Sequence, residues 1–97
     1  MKVCVVGGGI SGLATAFHLK KAGHEVLLLE SDARPGGKIR TDTDGNCVRE
    51  RGPNGFLDNV PETLDLVRDL GLEGRIRRAE PSAANRFLFR GKGLWKL

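Results

Sequence analysis

Three glycine-containing stretches hold the chemically informative residues of this sequence, and no metal site or catalytic triad is visible among them. The first is Gly7-Gly8-Gly9-Ile10-Ser11-Gly12, which fits G-x-G-x-x-G. It follows an apolar run and opens a helical pattern, and an acidic residue, Glu30, ends the next apolar run. That context reads as a dinucleotide grip. Gly7 permits the tight turn, Gly9 lets backbone approach a pyrophosphate, and Gly12 lets the helix pack close to the strand. Ile10 and Ser11 open the helix, whose N-terminal N–H groups and positive dipole end favour an anion. Glu30, with Ser31 beside it, is placed to accept hydrogen bonds from both ribose hydroxyls. A 2′-phosphate would be repelled there, which disfavours NADP. A P-loop is excluded, because Leu13-Ala14 stand where Lys and Ser/Thr are required.

The second stretch is Arg34-Pro35-Gly36-Gly37-Lys38-Ile39-Arg40-Thr41. A second glycine pair brings further N–H donors to the diphosphate, and Arg34 and Lys38 add positive charge. The stretch resembles the R-x-G-G-[RK]-x-x-[ST] signature of the amine-oxidase-like flavoproteins, and the resemblance points to FAD rather than NAD. The third, Glu50-Arg51-Gly52-Pro53-Asn54-Gly55-Phe56-Leu57, resembles the E-x-G-P-N-x-F-L stretch of the protoporphyrinogen oxidase family. Residues 62–73 resemble that family's next helix, and Asn85-Arg86-Phe87-Leu88-Phe89 with residues 91–97 resembles its N-R-F hairpin.

The resemblance implies a three-part enzyme with an FAD domain, a porphyrinogen-binding domain and a membrane-binding helical region. It implies an FAD-dependent oxidase that takes protoporphyrinogen IX to protoporphyrin IX, with oxygen or a quinone as acceptor. Gly52, Pro53 and Asn54 would line the flavin, and Arg86 would anchor a substrate propionate, a task suited to a bidentate guanidinium. Lys38 departs from the arginine of many relatives; it keeps the charge and loses the fork. Rival readings stay open: a carotenoid desaturase or amine oxidase, and a non-catalytic dinucleotide-binding module. No residue is assigned as catalytic or as a metal ligand, since in such enzymes the cofactor carries the chemistry.

The elements that must position these residues follow from periodicity. Lys2–Val6 and Glu25–Glu30 read as parallel strands covered on both faces, and residues 10–22 as the helix between them, stopped by Gly23. This is one βαβ unit with a right-handed crossover. Lys38–Thr43 and Cys47–Glu50 predict a hairpin around Asp44-Gly45. Pro61–Leu70 predicts a helix capped by Asn59 and ended by Gly71, with Leu64, Val67 and Leu70 on its apolar stripe. Arg75–Ala79, Arg86–Arg90 and Leu94–Lys96 read as strands, the last two joined by residues 91–93. The fold class is α/β: an incomplete Rossmann-like FAD-binding unit, then a small hairpin and a helix. Residues 1–74 form its FAD-binding part, and 75–97 begin a substrate-binding region.

Composition narrows the rest. With 97 residues, 14 of them glycine, the chain suits one small domain with a modest core. Net charge is +4 and uneven: residues 75–97 hold seven basic groups against Glu80 alone. An anionic partner or a solvated face would each account for this. The few aromatics form no stacking platform among the arginines, which argues against nucleic acid. Cys4 and Cys47 make no CxxC pair and suggest neither zinc nor a disulfide framework. His18, in the helix, and His24, at its exit, read as structural or solvated, and Asp42, Asp44 and Asp58 as turn and cap residues. No signal peptide or membrane span is legible. The expected location is cytoplasmic, with peripheral attachment to the inner face of a membrane and self-association through open sheet edges left open. The chain reads as the front of a longer protein. Micromolar cofactor binding needs about 8 kcal/mol, and these residues grip only the ADP half, so residues 1–97 alone are expected to bind FAD weakly or not at all and to be inactive.

Overall fold

The computed structural model describes residues 1–97. The backbone groups into two compact units, Met1–Pro61 and Glu62–Leu97.

The first unit opens with β1 (Lys2–Val6), α1 (Ile10–Lys21) and β2 (Glu25–Leu29). The strands pair in parallel from Lys2↔Glu25 to Val6↔Leu29, as a βαβ unit requires. α1 packs on both strands, and the exposure pattern follows the pleat. Val3, Val5, Val26 and Leu28 are half-buried, while Cys4, Val6, Leu27 and Leu29 are exposed. Within these 97 residues α1 covers one face, and Cys4, Val6, Leu27 and Leu29 mark the other. The end of α1 is fixed by two crossed bonds. The Gly23 N–H donates to Lys20 O at 3.0 Å and the His24 N–H to Leu19 O at 3.1 Å, the Schellman arrangement.

A second sheet in this unit is the hairpin β3 (Thr41–Asp44) and β4 (Cys47–Glu50). Its loop residues are Gly45 and Asn46, one position beyond the expected Asp44-Gly45. Gly45 has φ +56° and no non-glycine residue has positive φ, so the turn is not type I′, and its leading glycine fits type II′. β3 also starts later than periodicity suggested. The Ile39 N–H donates to Gly36 O at 3.0 Å, and the chain is still turning through Lys38.

α2 (Pro61–Asp69) begins at the last residue of the first unit and otherwise lies in the second, which also carries 3₁₀ turns at Glu73–Arg75 and Pro81–Ala84 and a hairpin of β5 (Phe87–Arg90) and β6 (Gly93–Lys96). α2 ends as α1 does, with the Gly71 N–H donating to Arg68 O at 2.9 Å and the Leu72 N–H to Val67 O at 2.9 Å. Leu64, Leu66 and Val67 are its half-buried apolar residues. The strand expected over Arg75–Ala79 does not form; Arg75 belongs to the 3₁₀ turn, and residues 76–80 pair with nothing. Across the chain no apolar side chain is fully buried. The one buried residue is Gly8, inside the first glycine turn.

Candidate functional site

The site is built from two glycine turns that touch. The first leaves β1 at Gly7, which turns with φ +99°; the Gly7 N–H donates to Leu29 O at 2.7 Å, which holds the turn against the end of β2. α1 then begins with no side-chain cap and no acidic residue in its first turn. The Leu13 N–H is the first to reach a carbonyl of its own helix, Gly9 O at 2.9 Å. The N–H groups of Ile10, Ser11 and Gly12 precede it and have no acceptor within the helix. Gly12 is a glycine by necessity. A Cβ there would collide with the Gly7 carbonyl oxygen, so the close approach of helix to turn depends on a missing side chain.

The second turn folds back onto the first. The Gly36 N–H donates to Gly8 O at 2.8 Å, and a Cβ on Gly37 would lie 3.3 Å from Gly9 Cα. Together the turns edge an open cleft of about 550 Å³. Gly7, Gly9, Ile10, Ser11 and Gly12 line one side, and Gly36, Gly37, Lys38 and Pro53 the other. A Cβ on Gly9 would meet no atom within 4 Å, so the backbone is open to a ligand there.

Glu30 is gathered under the first turn. Its Oε2 accepts from the Gly8 N–H at 2.5 Å, and its Oε1 from the Asp32 N–H at 2.8 Å and the Ser31 hydroxyl at 3.3 Å. The Asp32 amide first and the Gly8 amide second hold its carboxyl below the ordinary range. A carboxylate oxygen has two lone-pair directions, so Oε2 keeps one free for a hydroxyl. With a Cβ at Gly8 the carboxylate would have to shift, because that atom would stand 2.8 Å from Oε2.

Several residues sit elsewhere than the charge pattern suggested. Arg34 does not line the cleft; its guanidinium donates to Ile39 O at 3.0 Å and braces the second turn. Ser31 orients Glu30. Gly52 is packed where a Cβ would strike the Lys38 carbonyl, which puts Pro53 at the wall, while Asn54 lies in the loop beyond the lining. Arg86 stands exposed before β5 in the second unit, its carbonyl accepting from the Leu97 N–H at 2.8 Å. Two lining residues were missed, Val6 and Ile39. Both are apolar and carry no chemistry of their own; their only signal is position, one before Gly7 and one inside the second motif. No group of three or more His, Cys, Asp and Glu residues is placed to hold a metal ion, and no helix is long and apolar enough to cross a membrane.

A helix N-terminus free of acids, a bare glycine edge beside it and a carboxylate at the end of the second strand define a dinucleotide-binding βαβ unit. The residues fit FAD at this cleft: the glycine edge and the free amides suit its diphosphate, and Glu30 suits its ribose. Comparison with known proteins agrees. Residues 10–94 match the flavin containing amine oxidoreductase family, and the chain belongs to that family, whose cofactor is FAD. It is 43% identical over 77 residues to coproporphyrinogen III oxidase of Bacillus subtilis (strain 168), covering 73% of this chain and 16% of the relative. It is 42% identical over 104 residues to protoporphyrinogen oxidase of Homo sapiens, covering 98% and 22%. It is 40% identical over 84 residues to 15-cis-phytoene desaturase of Narcissus pseudonarcissus, covering 84% and 15%. Among solved structures, a triple mutant of putrescine oxidase superposes with a TM-score of 0.66 at 38% identity, covering 72% of this chain and 16% of that one. The chain thus spans about a fifth or less of the length of these relatives.

Proposed function

We propose that this chain is the FAD-binding N-terminal portion of an oxidase that converts a porphyrinogen to a porphyrin. The observation that carries the cofactor half is the bond from the Gly36 N–H to Gly8 O, which joins both glycine turns into one edge of the cleft. Bound FAD would supply the hydride-accepting chemistry, with oxygen or a quinone as the final acceptor. The chain's own residues bind and orient. The free amides of Ile10, Ser11 and Gly12 and the Gly36–Gly37 turn hold the diphosphate, with Lys38 adding charge. Glu30 holds the adenosine ribose through its spare lone pair. Gly52 and Pro53 shape the wall toward the flavin, and Arg86 pairs with a propionate of the substrate.

The porphyrinogen half is supported by the GPN and NRF segments and by two of the relatives named above. A second reading is a desaturase or an amine oxidase of the same family, supported by the phytoene desaturase and putrescine oxidase likenesses. Peripheral attachment of the whole protein at the inner face of a membrane, and self-association, belong to the same proposal. The deciding experiment is the anaerobic absorption spectrum of the intact flavoprotein. Addition of protoporphyrinogen IX or coproporphyrinogen III is expected to bleach the flavin bands. Bleaching by putrescine or phytoene and by neither porphyrinogen would transfer the assignment to the second reading.

A further inference from the structure

The cofactor site leaves one cluster unused, on the charged face of the β3–β4 hairpin. Asp42 stands opposite Arg49 in the register. Arg40 Nε donates to Asp42 Oδ1 at 3.1 Å, Arg51 Nε pairs with Oδ2, and Arg49 brings a guanidinium nitrogen to 3.7 Å from Oδ2. Only 19% of the carboxylate side chain is exposed, against 49–69% for the three arginines. Three cations are thus gathered on one carboxylate; Asp44 shares the face but the ion pairs all go to Asp42. Glu50 gives no relief, because its Oε2 accepts from the Thr41 hydroxyl at 2.7 Å and adjacent strand residues point to opposite faces.

The place of this cluster matters more than its charge. The Arg51 N–H donates to Arg40 O at 2.8 Å, the last rung at the open end of the hairpin. Lys38 and Ile39 precede Arg40 on the segment entering β3; Gly52 and Pro53 follow Arg51 on the segment leaving β4. Lys38, Ile39 and Pro53 line the dinucleotide cleft, and Gly52 is pressed on the Lys38 carbonyl. The two residues that Asp42 clasps most closely are therefore the two from which the cleft wall extends.

We propose that Asp42 is a positioning residue for the cleft: it neutralises the mutual repulsion of Arg40, Arg49 and Arg51 and so keeps the Lys38–Ile39 and Gly52–Pro53 segments together as one wall. This rests on the reading that the cleft holds FAD.

The test is FAD affinity of the full-length apoprotein for wild type, Asp42→Asn, Asp42→Glu and the double variant Asp42→Asn/Arg49→Ser. It is measured at about 0.01 M and about 1 M salt, between which the Debye length falls from about 30 Å to about 3 Å. Asp42→Asn keeps the shape and removes the charge. At low salt it is expected to bind FAD about tenfold more weakly than wild type, within the range of couplings in charged networks. Because the deficit comes from repulsion between exposed cations, high salt should remove most of it. Removing Arg49 in the Asn background should recover part of it, and Asp42→Glu should recover more. The urea midpoint of the apoprotein, read without flavin, should follow the same salt pattern. A deficit equal at both salts and untouched by Arg49→Ser would overturn the proposal, since a merely structural role would look like that. If the wild type binds FAD and Asp42→Asn binds it equally well, the proposal alone fails. If the wild type binds no FAD, the cofactor reading fails and takes the proposal with it.

Discussion

The first glycine turn and the β5–β6 hairpin both lie at the end of an apolar strand, yet they are held in opposite ways. The turn is tied by backbone groups from distant parts of its unit: Gly7 to Leu29, Gly36 to Gly8, and Gly8 to the carboxylate of Glu30. It contains the only buried residue of the chain and no large side chain. In the hairpin, Phe87, Phe89, Leu94 and Trp95 are 57%, 70%, 71% and 65% exposed, and order comes from ladder bonds between neighbours in sequence. A diphosphate grip thus needs very little core. It is made from N–H groups, a dipole and missing side chains, and these are set by local turns plus a few long-range bonds. A site for a large apolar substrate has no such shortcut and needs walls of packed side chains.

The comparison breaks most visibly at Gly12. In Gly12→Ala, the smallest possible side chain meets the Gly7 carbonyl oxygen, and backbone cannot swing aside as a side chain tip can. Overpacking of this kind costs roughly 1–3 kcal/mol. Flavin content of the purified full-length protein is expected to fall to near zero, and urea unfolding should show a loss at the upper end of that range. Full flavin content in this variant would mean that the helix does not have to approach the turn so closely.

Glu30 comes next. Glu30→Ala removes the acceptor of the Gly8 and Asp32 amides and the partner of the ribose, and FAD affinity is expected to fall about tenfold or more. Unchanged flavin content would show that Glu30 serves the turn alone. Acid should act in the same direction. The Glu30 carboxyl lies below its ordinary 4.5 because of the Asp32 and Gly8 amides. Asp42 lies below its ordinary 3.8 chiefly because Arg40 donates to it. A carboxyl lowered by folding contributes fully above its unfolded value and loses that contribution as pH falls through the folded one. The apoprotein is therefore expected to hold its stability down to about pH 4.5 and to lose it progressively below, in a urea series across that range. Glu30→Ala should flatten part of the acid limb.

How much of this was legible in the sequence depends on how local each feature is. Gly23 and Gly71 announced the helix ends because the cap chemistry lies within five residues of each. The G-x-G-x-x-G turn was legible because each glycine answers a separate steric demand. From the sequence alone Asp42 reads as a turn residue. It lies in β3, and its role needs Arg49 and Arg51 from the partner strand, which a one-dimensional pattern does not bring to it. Charge near a glycine pair suggests a phosphate ligand at Arg34; in the structure its guanidinium donates to the Ile39 carbonyl, a contact that five residues of spacing do not announce. The bond from Gly8 to Glu30 joins residues 22 apart and becomes visible only once β1 and β2 are in register. The strand expected at Arg75–Ala79 failed for a different reason: Ile76 and Ala79 are interspersed among arginines there, but no strand within these residues pairs with the segment.

The second unit is predicted to respond more mildly. Arg86→Ala in the full-length protein is expected to leave flavin content intact and to raise KM for a porphyrinogen about tenfold, the scale of one charge-assisted contact. Unaltered kinetics would remove Arg86 from the substrate site.

The smallest effects come from two glycines of the second unit that differ in one respect. A Cβ on either Gly74 or Gly91 would meet nothing within 4 Å, so space is not at issue. Gly91 has φ +67°, where an L side chain costs roughly 1–2 kcal/mol, and Gly91→Ala should lower the urea stability by about that much. Gly74 is not among the positive-φ glycines and sits in the Glu73–Arg75 turn. Gly74→Ala should leave the folded state untouched while restricting the unfolded chain, for a gain of about 0.4–1 kcal/mol. Opposite signs at the two sites, with flavin content unchanged in both, would show that in this unit glycine serves the turn alone. A loss at Gly74 comparable to that at Gly12 would show instead that a further surface packs on the Glu73–Arg75 turn in the full-length protein, as closely as α1 packs on Gly7.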